Sequence, residues 1–269
     1  MGKLVVSWSP VHGQGTTTSN IAAIASYFAL TRNNKSIITH TQLNYSSLEL
    51  LFGKKKTEVE GFEEHGLKAL ERLIVSGFSK TDIIFDYTET IYSERLDLLG
   101  GTLDEMDLND NVMLQILERM KSVYDVLFVD AHSGSKNELT NTLLANADLV
   151  IVNLPQNRFV LDRYFSGKDM NTHIQGKDCL YIISEYNDNT QFNIKRMKRM
   201  YPFNTKVLPI PYSKQFRDAS NSQNIAEFFY THVKNQNKGL PTQGYVDALE
   251  DITSHLEKTL QSLSEVSSE

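Results

Sequence analysis

The chain has 269 residues, 40% of them hydrophobic and 22% charged, close to an ordinary globular composition. That much apolar material builds a substantial core and excludes wholesale disorder. With 27 Lys and Arg against 33 Asp and Glu, the net charge is −6, so nucleic acid as a main partner would need a local basic patch.

Short apolar runs alternate with longer periodic ones along the chain. Strands are expected at Leu4–Trp8, Ser36–Thr39, Asp82–Phe85, Val126–Asp130, Leu149–Asn153, Leu180–Ser184 and Val207–Ile210. These runs are apolar at consecutive positions, which suits strands covered on both faces, as in a parallel sheet. Helices are expected at Thr18–Thr31, Gly66–Ser76, Asn111–Ser122, Asn137–Ala147, Arg158–Phe165 and Asn193–Met200. The alternation predicts one doubly wound α/β domain with a mostly parallel sheet flanked by helices. Val246, Leu249, Ile252, Leu256, Leu260 and Leu263 recur at helical spacing and read as an amphipathic closing helix packed on the sheet. The expected division is residues 1–235 for the main domain and 236–269 for that helix and an acidic tail. Lys54-Lys55-Lys56 and Glu58 to Gly66 read as surface loop.

The single cysteine, Cys179, excludes an internal disulfide and reads as a small buried residue in a reducing compartment. The longest apolar stretch, Ile21 to Leu30, falls well short of the ~18 residues that span a bilayer. The opening MGKLVVSWSP lacks a signal-peptide pattern. A cytoplasmic location is expected, with peripheral attachment to a membrane-bound complex as the variant of it.

The first strand-to-helix junction carries the chemistry. Pro10-Val11-His12-Gly13-Gln14-Gly15 leads into Thr16-Thr17-Thr18 and an alanine-rich helix. Glycines at such a turn let a ligand approach the backbone, and the helix start offers unpaired N–H groups to an anion. Against the phosphate-loop pattern G-x-x-x-x-G-K-[ST], the chain reads Pro10-x-x-x-x-Gly15-Thr16-Thr17, with Thr16 in place of the lysine. The backbone cradle survives this change; the point charge does not.

The ordered set of segments resembles the MinD/ParA family of P-loop ATPases over roughly residues 3–230. Against the family loop K-G-G-x-G-K-T-T, Gly13, Gly15, Thr17 and Thr18 match, while Val11 and Thr16 replace both lysines. In Thr39–Gly53, Leu48, Glu49, Leu50 and Gly53 fit the first switch, with His40 and Gln42 where aspartates stand in the family. Ser122–Gly134 resembles the Walker B strand and second switch and keeps Asp125, Asp130 and Gly134. Asn146–Asn157 and Lys206–Ile225 resemble two later stretches, the second lying against the base in the family. The degenerate loop is similar to that of the TadZ/CpaE group.

The resemblance implies ATP or ADP with Mg2+, held by His12, Gly13, Gln14, Gly15, Thr16, Thr17, Thr18, Pro211 and Tyr212. Thr17 and Asp130 are implied as metal ligands, and Asp130 with Gln42 as the groups left for catalysis. His12 is a candidate to replace part of the lost lysine, whereas His132 reads as an ordinary surface histidine. Each charge-assisted bond lost is worth ~1.5–3 kcal/mol, so weak or absent hydrolysis is expected. The implied role is a nucleotide-responsive spatial organiser or assembly factor, homodimeric, with a protein partner. Lys195, Arg196, Lys198 and Arg199 form a candidate patch for DNA or a partner. A DNA-partition ATPase and an ATP-dependent metabolic enzyme are the alternatives.

Overall fold

The computed structural model describes residues 1–42, 46–54, 66–77, 82–101, 110–235 and 242–266. The described strands form one eight-stranded sheet, ordered β3-β4-β2-β5-β1-β6-β7-β8. They are β1 (Lys3–Trp8), β2 (Ser36–His40), β3 (Glu89–Tyr92), β4 (Leu96–Leu98), β5 (Val126–Asp130), β6 (Leu149–Pro155), β7 (Cys179–Tyr186) and β8 (Val207–Pro211). Every pairing is parallel except β3 with β4 at one edge. The mostly parallel, helix-flanked sheet is therefore present.

Successive strand residues feed two cores. Leu4, Val6 and Trp8 of β1 enter one core, and Val5 enters the other. The first core is closed by α3 (Leu67–Val75), α4 (Asp110–Val123), α5 (Glu138–Asn146), α6 (Arg158–Phe165) and α7 (Ile194–Met200). The second is closed by α1 (Thr17–Thr31), α2 (Leu48–Leu51), α8 (Lys214–Asn221), α9 (Ile225–Asn235) and α10 (Gln243–Val266). Leu249, Ile252 and Leu256 of α10 are fully buried, and Arg32 at the end of α1 reaches Glu250 at 2.7 Å and Glu257 at 2.9 Å. Its apolar stripe is thus consumed by the domain core. No helix among the described residues is long and apolar enough to cross a membrane.

One expected strand is corrected: Asp82–Phe85 lies in a 3-10 helix, Asp82–Tyr87. There Ile84 is buried while Phe85 is exposed, a one-sided burial that a strand covered on both faces would not show. The sheet edge is taken instead by the hairpin β3–β4, which turns through Glu94 at φ 58°. Lys54 pairs with Glu89 at 3.3 Å. Lys55, Lys56 and most of the loop expected at Glu58–Gly66 lie outside the described residues, as does the proposed boundary at 236.

Candidate nucleotide site

β1 ends in a loop, Ser9 to Thr16, that turns the chain into α1. Gly13 takes φ 72° with open space around its missing Cβ, and Thr16 takes φ 46°. Gly15 is required for a different reason: a Cβ there would lie 2.4 Å from Ser9 Oγ and 3.2 Å from the Asn153 carbonyl. The first backbone bond of α1 runs from Asn20 N–H to Thr16 O at 2.9 Å. Among the described residues, the N–H groups of Thr17, Thr18 and Ser19 therefore have no helical acceptor, and those from His12 to Thr16 have no backbone acceptor. Free donors at the positive end of a fifteen-residue helix form an anion seat.

A buried polar network fixes this loop from below. Asn20 Nδ2 donates to Asn153 Oδ1 and to Ser184 Oγ, both at 2.9 Å. Ser184 Oγ donates to the Gly15 carbonyl at 2.7 Å, and Asn153 Nδ2 donates to Ser7 Oγ at 2.9 Å. Three strands and the helix are stitched to Gly15 at the point where the backbone is tightest. Of these positions only Gly15 is singled out as a site residue from the sequence; Ser7, Asn20, Asn153 and Ser184 are not. The signal available was polar residues at the ends of otherwise apolar strand runs.

Asp130 ends β5 directly beside β1, paired in register with Ser7. Its side chain is fully buried, and Thr18 Oγ1 donates to Oδ2 at 2.5 Å. Oδ1 has no partner. Burial is the largest influence and lifts this carboxyl from 3.8 to about 6, against the opposing bond from Thr18. Thr18 thus meets Asp130, while Thr17 is buried at the first position of the helix. Gln42 is buried and donates to the Ala131 carbonyl at 3.2 Å, so it lies at the same strand end.

His40 pairs in register with Asp130 but faces Glu49 of α2, Nε2 to Oε1 at 2.8 Å. Its Nδ1 accepts the Gln42 N–H at 3.2 Å, which leaves Nε2 as the donor to Glu49. Burial would raise Glu49, yet the bonds from His40 and the Gly101 N–H outweigh it and hold the carboxyl at about 2. The ring leaves no room beside Gly101, where a Cβ would fall 2.1 Å from the imidazole. Where the resembling family carries an aspartate, this chain holds a closed internal pair.

Beyond Asp130 the chain turns back over the loop. Gly134 donates its N–H to Ser9 O at 2.9 Å and accepts from Trp8 Nε1 at 2.8 Å. The turn sets His132 beside His12, ring centroids 5.6 Å apart. His12, Gly13 and Gln14 are exposed on the loop crest. His132 is only partly exposed, its Nδ1 buried without a partner, and burial with the neighbouring His12 charge lowers its pKa.

On the other side of α1, a cavity of about 500 Å3 opens between α1, β8 and α8. Pro211 and Tyr212 line it with Thr16, Ser19, Asn20 and Phe216, so the residues implied for a base share one pocket with the loop. At its rim Arg217 bonds Glu185 and lies 5.0 Å over the Tyr212 ring. Lys195, Arg196, Lys198 and Arg199 are exposed on α7 around buried Met197, and none of them lines this cavity. Among the described residues no cluster of three His, Cys, Asp or Glu is arranged to hold a metal alone.

A mostly parallel sheet with a glycine-bearing loop leading from a central strand into a helix, and a buried acid ending the neighbouring strand, has the layout of a P-loop fold. No protein-family model and no curated protein matches the sequence. Solved structures do. A ParA family ATPase from Chlorobium tepidum TLS aligns with TM-score 0.70 and 11% identity over 95% of this chain and 100% of that one. The septum site-determining protein MinD of Pyrococcus horikoshii OT3, complexed with Mg-ADP, gives 0.68 and 15% over 96% and 99%. A putative plasmid partition protein of Borrelia burgdorferi B31 bound to AMPPNP gives 0.67 and 17% over 96% and 99%. The fold is the MinD/ParA fold.

Proposed function

We propose that this chain is a MinD/ParA-like nucleotide-binding protein that positions or assembles a protein partner, with little or no ATP hydrolysis. The observation that carries the reading is the row of unused N–H groups from His12 to Ser19, set between a base-sized cavity and the orphaned Oδ1 of Asp130. The residues fit a polyphosphate: Gly15 is packed so that nothing but hydrogen can face it, and Thr16 Oγ1 is buried without a partner. They fit a magnesium ion, which Asp130 with Thr17 or Thr18 would hold. When bound, the ion neutralises phosphate charge. The chain's own residues seat the phosphates on backbone N–H groups and hold the base against Pro211 and Tyr212.

The same residues speak against turnover. Val11 and Thr16 supply no cation to the loop, and His40 is already committed to Glu49. In phosphoryl transfer such charges act mainly on the transition state, so their loss costs rate more than binding. A protein partner is favoured over DNA because the net charge is −6 and Arg217, which lines the cavity, is bonded to Glu185; the exposed cations of α7 are what the DNA-partition alternative would draw on. The Mg-ADP and AMPPNP in two of the similar structures support a nucleotide as the ligand, and homodimerisation is proposed from the family resemblance alone.

Calorimetric titration tests the reading: Mg-ATP and Mg-ADP should bind the wild-type chain, and a Gly15→Val variant should not bind either. Phosphate release should stay near background and rise in Thr16→Lys. Size-exclusion chromatography with and without Mg-ATP reads dimerisation. No binding of either nucleotide at millimolar concentration refutes the proposal.

A further inference from the structure

Among the described residues, neither ring of the histidine pair over the phosphate loop makes a side-chain hydrogen bond. His12 stands exposed on the crest, and His132 comes from the separate segment after β5. Their rings face one another at 5.6 Å, tilted by 35°, with no hydrogen bond between them, and His132 Nδ1 is buried without an acceptor. The segment carrying His132 is fastened on both sides of Gly134, to Ser9 and to Trp8, so the pair is positioned before any ligand arrives.

The direction of a bound nucleotide follows from the sheet order. β8 and the Pro211–Tyr212 cavity lie on one side of β1, while β5 with Asp130 and His132 lies on the other. A base in the cavity sends its phosphate chain across Thr16 to Thr18 toward Asp130, and the end farthest from the base arrives beside His132. We infer that His12 and His132 together receive the terminal phosphate of a nucleoside triphosphate, supplying from two loops the side-chain donors that Val11 and Thr16 do not. Hydrogen bonds of ~2.9 Å from both rings can converge on one phosphate at this separation. The inference rests on the nucleotide reading above and adds to it a specific consequence: discrimination of triphosphate from diphosphate resides in these two side chains.

The test is titration of Mg-ATP and Mg-ADP into the wild-type chain and into His12→Ala, His132→Ala and the double variant, with far-UV circular dichroism and a thermal midpoint to confirm folding. Each single variant should lose roughly tenfold in Mg-ATP affinity, the loss of one bond to a charged group. Mg-ADP affinity should change less than about twofold. The double variant should lose less than the product of the singles, because the two rings share one phosphate. His132→Gln, which keeps a donor, should recover part of the loss and replaces His132→Ala should that variant not fold. Equal losses for both nucleotides, or no loss for either, overturn the histidine pair while leaving nucleotide binding intact. A wild-type chain that binds neither nucleotide overturns the nucleotide reading itself and this inference with it.

Discussion

Replacing Asp130 by Asn should stabilise the protein while disabling its site. The carboxyl is fully buried and its value is lifted from 3.8 to about 6. A raised acid weighs against the folded state wherever it is ionised. Below 3.8 it is protonated in both states and the effect vanishes; between 3.8 and about 6 the cost grows with pH; above that range it is complete. At ~1.4 kcal/mol per tenfold, the full cost is ~3 kcal/mol. An amide cannot titrate, can still accept from Thr18, and forfeits ~1 kcal/mol through imperfect hydrogen bonding. The net expectation is a gain of ~2 kcal/mol at pH 7.5 that disappears by pH 4. Urea unfolding followed by far-UV circular dichroism at pH 7.5 and pH 4.5 measures it. A variant less stable than wild type at pH 7.5, or a difference that does not change with pH, refutes the reasoning. The variant should also lose magnesium-dependent nucleotide binding, the exchange of stability for function common at buried site residues.

Glu49 carries the opposite sign. Held at about 2 against an ordinary 4.5, it contributes stability that is complete above 4.5 and lost as pH falls toward 2, worth ~3 kcal/mol. Glu49→Gln should flatten the acid limb of the stability curve, measured by thermal midpoint from pH 6 to pH 3. Gly101→Ala places a Cβ 2.1 Å from the His40 ring and should cost ~3 kcal/mol through overpacking and a disturbed buried pair, a midpoint drop of about 6–12 °C; a drop under ~2 °C would show that the loop yields. Gly15→Ala, opposed by Ser9 and the Asn153 carbonyl, should weaken Mg-ATP more than tenfold in titration while the chain stays folded. Reversing Lys195, Arg196, Lys198 and Arg199 to Glu should abolish any salt-sensitive shift of duplex DNA and leave Mg-ATP affinity within twofold; a surviving shift assigns that contact elsewhere.

The parts of the fold legible in the sequence are those where burial is complete. The central parallel strands are covered on both faces and so carry consecutive apolar residues, as Val126 to Val129 and Leu149 to Val152 do. The hairpin β3–β4 escaped because one of its strands is a half-exposed edge and the other only three residues long. Asp82–Phe85 misled because its isoleucines and phenylalanine match a strand in composition, while a one-sided 3-10 turn buries only Ile84. The phosphate loop was legible because local chain order builds it. Its support was not: Asn20 of the helix meets Asn153 and Ser184 of two strands that lie 133 and 164 residues further along, and spacing along the chain carries no trace of that. The His40–Glu49 pair and the neighbour of His12 are likewise products of the tertiary arrangement.

Trp8 is the chain's single tryptophan, and its indole N–H is bound to the carbonyl of Gly134. The molecule therefore contains its own optical gauge at the hinge between the phosphate loop and the segment bearing His132. Any rearrangement of that segment must stretch or break this bond, changing the polarity around one buried chromophore and shifting its emission. The nucleotide response proposed for this protein could be watched without a label. A spectrum unmoved by saturating Mg-ATP would mean that the fastened turn stays shut and that the signal to a partner leaves the site by another route.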